Sequence, residues 1–149
     1  MMKPVYTGSW DDAGLAKQVT NALLQAGADI IMQDVDAAAP AVFQAVKQWN
    51  RPGQQAYALG TNKDQNAIAP DVVLASAPIY TDKAFLQIIR QAQAGTLKPN
   101  DNPFGMPEGV IDFKLNPALQ SLVPAGLKSR LDSTAQKIRD GSFKAPRGV

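Results

Sequence analysis

The chain has 149 residues, enough for one domain of ordinary size and too few for two large lobes. Hydrophobic residues make up 45% and charged residues 19%, the balance of a folded chain, and a net charge of +2 with no basic stripe gives no reason to expect a nucleic-acid partner. Cys and His are both absent, which excludes disulfides and Cys-held metals and removes the commonest general base and zinc ligand; catalysis by Asp, Glu, Lys or Tyr stays open in principle, but no metal, cofactor or catalytic residue is expected.

Val5-Tyr6-Thr7-Gly8 reads as a short strand. Asp11 and Asp12 are good N-cap residues for the helix that follows. Its apolar positions Leu15, Val19, Leu23 and Ala26 recur at helical spacing, and Gly27 supplies the left-handed residue that ends it. Asp29-Ile30-Ile31-Met32 is the short apolar run of a buried parallel strand. Ala38-Ala39-Pro40 opens a second helix with Val42, Ala45, Val46 and Trp49 inward, and Asn50-Arg51-Pro52-Gly53 breaks it.

Gln55 to Gly60 and Asp71 to Ser76 read as two more strands. A third helix spans Thr81 to Ala94 with Phe85, Ile88, Ile89 and Ala92 inward, stopped by Gly95. Lys98 to Glu108, with three prolines, is a loop. Gly109 to Leu115 alternates as a strand, and a last helix carries Leu127, Leu131, Ala135 and Ile138 inward before Gly141.

Alternating strands and helices predict an α/β fold, a three-layer parallel sheet flanked by helices. One domain is expected over 1–149, with core βα units in 1–78 and a return helix, strand and C-terminal helix in 79–149. In such sheets ligands bind beyond the carboxyl ends of the strands. Three polar loops leave those ends: Ser9 to Asp12, Gln33 to Ala37, and Thr61 to Gln65. The N-terminus shows no apolar leader and no run of about 18 apolar residues occurs, so the chain as given is expected in the cytoplasm.

In order and spacing, several segments resemble the second half of the basic membrane protein family of ABC-importer substrate-binding proteins. They are Gly8-Ser9-Trp10-Asp11-Asp12, Gln25-Ala26-Gly27-Ala28-Asp29-Ile30-Ile31 and Leu59-Gly60-Thr61-Asn62-Lys63-Asp64-Gln65, followed by Val73-Leu74-Ala75-Ser76. Gly105-Met106-Pro107-Glu108-Gly109-Val110 and Ile138 to Pro146 complete the match, which covers nearly the whole chain. The resemblance implies one lobe plus return segment of a type I periplasmic binding protein. Full-length members are bilobal, periplasmic or on the cell surface, and hold a purine base or nucleoside in the cleft between lobes.

It also implies ligand-binding roles. Trp10 matches an aromatic that stacks on the purine ring, which a flat heterocycle rewards through dispersion and quadrupole terms. Asp12 matches an acid near the ligand, although it equally suits a helix cap. Gln33, Asp34 and Asp36 occupy a loop that approaches the ligand in the family. Asn62 stands where many relatives have a ribose-binding acid, and Ile79 where many have a sugar-contacting lysine, which favours a free base over a nucleoside. Asp64 shares the third loop, and Glu108 sits in a turn within reach of a cleft.

The primary reading is therefore a solute-binding protein, or half of one, that holds a small planar ligand without chemistry and serves an ABC permease. The alternative is a lobe acting as an interaction or dimerisation module, pairing with a missing N-terminal lobe or with itself through exposed apolar surface. An enzyme built on Asp12, Lys63 and Asp64 is the weakest reading, since no base–nucleophile pair can be named.

Overall fold

The computed structural model describes residues 2–99 and 103–144. Its elements are α1 (Ala13–Gln25), β1 (Ile30–Met32), α2 (Ala39–Trp49), β2 (Tyr57–Asn62), β3 (Val73–Pro78), α3 (Thr81–Gln93), β4 (Lys114–Leu115) and α4 (Ala125–Arg139). Short 3-10 turns precede α2 at Asp36–Ala38 and follow β4 at Pro117–Leu122. The chain forms two compact units. The first comprises 1–78 with 114–122, and the second 79–113 with 123–149.

The first unit holds the sheet, in the order β1-β2-β3-β4. β1, β2 and β3 are parallel, and β4 adds antiparallel to β3, so the sheet is mixed with a parallel majority. β1 reaches β2 through α2, the crossover that parallel neighbours require. β2 reaches β3 through turns at residues 63–72, without a helix.

Local chemistry explains the helix ends. Asp12 Oδ1 accepts from Leu15 N at 2.8 Å, satisfying one of the first-turn amides. At the other end Gly27 (φ 93°) donates to Leu24 O, and Ala28 donates to Leu23 O, which closes a Schellman motif. The Asn50 amide ends α2 and starts the next strand: Nδ2 donates to Ala56 O at 2.9 Å while Oδ1 accepts from Ala56 N at 2.8 Å.

The strand register places Ile31, Ala58 and Val73 side by side. They pack with Phe43 and Val46 of α2 and Ala16 and Leu24 of α1 in the core. α1 lies against α2. Full burial of side chains such as Phe43, Leu24 and Val46 contributes about 1.5–3 kcal/mol each. Alternation turns Ile30 and Met32 the other way, and Met32 is 70% exposed.

Three expectations from sequence change. Val5 to Gly8 forms no strand: no neighbouring strand pairs with it, and Tyr6 is 88% exposed. The alternating run at Gly109 to Leu115 contracts to the two residues of β4, preceded by an isolated antiparallel bridge between Ile79 and Ile111. The apolar stripes of α3 and α4 form, but neither helix has a buried residue, and Phe85 and Ile89 face solvent. Of the family-like ending, Ala145 and Pro146 lie outside the described residues, as do residues 100–102 of the proline-rich loop.

Candidate functional site

At the carboxyl ends of β1 and β2 the first unit opens a cleft of about 330 Å³. Gln33, Asp36, Ala37 and Pro40 line it from the β1–α2 connection, and Thr61, Asn62, Lys63, Gln65 and Ile68 from the end of β2 and the turn beyond. Its volume lies at the lower end of the range for small-molecule sites.

The floor is a buried polar network. Gln33 Nε2 donates to Gln65 Oε1 at 2.8 Å, and Thr61 N donates to the same oxygen at 3.2 Å. Gln65 N donates to Ser76 Oγ at 3.0 Å, and Ser76 Oγ donates to Asn66 Oδ1 at 2.9 Å. Asn66 Nδ2 continues the chain to Lys114 O at 3.3 Å. Gly60 makes the network possible, since a Cβ there would lie 2.8 Å from Gln65 Oε1 and 2.9 Å from Ser76 Oγ. Connected networks of this kind hold side chains in one arrangement.

Two residues on this foundation carry backbone strain. Asp36 (φ 43°) and Asn62 (φ 66°) are the two non-glycine residues with positive φ among those described, and both line the cleft. Each costs of order 1–3 kcal/mol and persists because its surroundings fix it. Asn62 Nδ2 donates to Asp34 Oδ1 at 3.2 Å, tying the second loop to the third, and Thr61 Oγ1 donates to Gln33 O at 3.0 Å beside it.

The residues singled out from sequence separate into groups. Asp36 and Asn62 line the cleft, with Asp34 bonded to Asn62 at its rim. Trp10 is 65% exposed and does not line it, although its carbonyl accepts from Ala38 N at 3.2 Å just before α2. Asp12 serves as the cap of α1. Asp64 turns to local work: Oδ1 accepts from Asn66 N at 3.2 Å, and Oδ2 pairs with Lys114 Nζ at 3.4 Å.

Glu108 belongs to the second unit, where its Oε2 accepts from Gly105 N at 2.7 Å and closes its own turn. Sequence reasoning placed Gln33 in a polar loop and gave Gln65 no role. Both are buried beneath the rim, and the signal for Gln65 was its place directly after the Thr61-Asn62-Lys63-Asp64 run.

Chemically the cleft offers carboxylate and amide groups for hydrogen bonding, an ammonium at Lys63 and an apolar wall from Pro40 and Ile68. Among the described residues no group of three or more His, Cys, Asp or Glu converges as metal ligands, and no helix is long and apolar enough to cross a membrane.

Comparison with known proteins agrees with this architecture. The chain is 30% identical over 108 residues to the transcriptional activator protein Med of Bacillus subtilis, covering 72% of this chain and 32% of that protein. It is 28% identical over 147 residues to a purine-binding protein of Brucella abortus, covering 95% of this chain and 37% of that one. An ABC-transporter solute-binding protein of Aeropyrum pernix superposes with a TM-score of 0.77 at 20% identity, over 97% of this chain and 48% of that one. The chain thus spans roughly a third of the length of these curated relatives and about half of the solved one. The model of the family described as ABC transporter substrate-binding protein, PnrA-like, matches residues 2–142, and the chain belongs to that family.

Proposed function

We propose that the chain is the ligand-holding lobe of a solute-binding protein that captures a purine base or a related small planar compound, without chemistry, for an ABC permease. The observation that carries this reading is the convergence of strain and polarity. Asp36 and Asn62 both line one cleft at the carboxyl ends of parallel strands, over a buried amide network. Strained backbone held in place by its surroundings concentrates where a ligand is clamped. The purine-binding relative supports the ligand class.

Thermal unfolding with adenine, hypoxanthine, guanosine and inosine tests it, because a ligand that binds only the folded state raises the melting temperature. A rise with a free base, growing with its concentration, is expected. No rise with any of the four rejects the purine reading.

A second reading rests on a different observation. α3 has no buried residue and presents Phe85, Leu86 and Ile89 to solvent, a patch suited to a protein partner. As an interaction module, the chain would show a melting temperature that climbs with its own concentration in the absence of ligand.

A further inference from the structure

We propose that Gln65 contacts the ligand directly, its Nε2–H group donating to a hydrogen-bond acceptor on the edge of the bound heterocycle; this rests on the purine-class reading above. Gln65 lines the cleft although only 4% of it is exposed. Which corner of its amide is oxygen is settled by backbone donors. Thr61 N–H points at it from 3.2 Å, so that corner must accept. Gln33 is oriented the same way, because its Oε1 accepts from Val35 N at 3.1 Å, leaving its Nε2 to donate to Gln65 Oε1 at 2.8 Å.

Both bonds fall on the Gln65 oxygen. Among the described residues no protein group bonds Nε2, and it is not sealed from solvent, so it stands as an accessible donor at the cleft. Once a ligand fills the cleft and excludes solvent, leaving that donor unpaired is unfavourable, and an acceptor on the ligand edge removes the cost. The amide cannot swing aside readily, since it packs over Gly60, where even one methyl group would collide with it.

The ligand edge read here is therefore mixed. Gln65 demands an acceptor, while Asp36 on the same cleft accepts from a donor. A purine supplies both, as ring nitrogens beside exocyclic or ring N–H groups.

The test is calorimetric titration of the whole chain with adenine and with the analogues in which one ring nitrogen is replaced by CH. The wild type is expected to lose about tenfold in affinity for one analogue, the one lacking the nitrogen that Gln65 reads. Gln65→Met is expected to lose about tenfold for adenine and nothing more for that analogue. Should the Met variant not fold, Gln65→Glu keeps an oxygen for Gln33 and Thr61 and, at pH 8, sets a carboxylate oxygen against the acceptor. It is expected to weaken adenine more than the analogue.

A variant that weakens adenine and every analogue by the same factor overturns the contact and leaves only a structural role. A wild type that binds all of them equally overturns it as well. A wild type that binds none of them rejects the purine reading itself, and this inference with it.

Discussion

Asn62 Nδ2 lies 3.2 Å from Asp34 Oδ1, so the end of β2 is bonded across to the end of β1 by the side chain of a residue in the left-handed region. Conformation and contact therefore belong to the same residue and can be pulled apart. Asn62→Gly keeps the backbone at no steric cost and removes the bridge. Its melting temperature should stay near the wild type while ligand affinity falls. Asn62→Val forces a β-branched residue into positive φ and should destabilise by about 1–2 kcal/mol in chemical denaturation.

Gly60→Ala should be worse than its size suggests. The new methyl group meets Gln65 Oε1 at 2.8 Å and Ser76 Oγ at 2.9 Å, inside a network with no slack. Overpacking of this kind costs about 1–3 kcal/mol. Urea unfolding should show a lower midpoint, and binding should fall with it because the displaced amide is the floor of the cleft.

Asp12 has a cap role visible in the structure and a ligand role implied by its resemblance to the family. Asp12→Asn preserves the cap, since Asn and Asp rank alike at that position, whereas Asp12→Ala costs about 1 kcal/mol. Equal stability but weaker purine binding in the Asn variant would assign the carboxylate to the ligand. Unchanged binding in both variants would confine Asp12 to capping.

Acid should erase one surface contribution. Asp71 Oδ2 sits 2.6 Å from Lys47 Nζ, and that hydrogen bond, chiefly, holds the Asp71 carboxyl below its ordinary value. A carboxyl lowered in the folded state stabilises above its unfolded pKa, and the gain is lost as pH falls through the lowered folded value. Both side chains are about half exposed, so solvent screening keeps the effect under about 1 kcal/mol. Lys47→Met should lower the melting temperature slightly at pH 7. The difference should vanish at strongly acidic pH and shrink in 1 M salt.

Periodicity located α1, α2 and the three parallel strands because each buries one stripe or one run of its own residues, and it located α3 and α4 although neither has a buried residue. Val5 to Gly8 reads as a short strand but finds no partner strand, and pairing is a property of neighbours rather than of the segment. The strand-end rule drew attention to the two loops that form the cleft, and Asp36 and Asn62 line it. It did not reveal Gln33 and Gln65 as a buried floor, since a polar residue beside a strand end reads the same whether it faces water or a neighbouring amide. Asp64 and Glu108 show the converse, with carboxylates in polar loops taken up by their own turns.

The first unit is discontinuous along the chain, and Asn116 is its clasp: Nδ2 donates to Val73 O and to Pro70 O, more than forty positions earlier. In time this means that the walls of the cleft, all within residues 33–68, are synthesised long before the clasp. Closing it requires the chain to complete the excursion over 79–113 and return, a loop whose entropy cost grows only slowly with its length. Insertions in that excursion should therefore burden the folding of the sheet far less than their size implies, leaving its length open to change while the cleft stays the same.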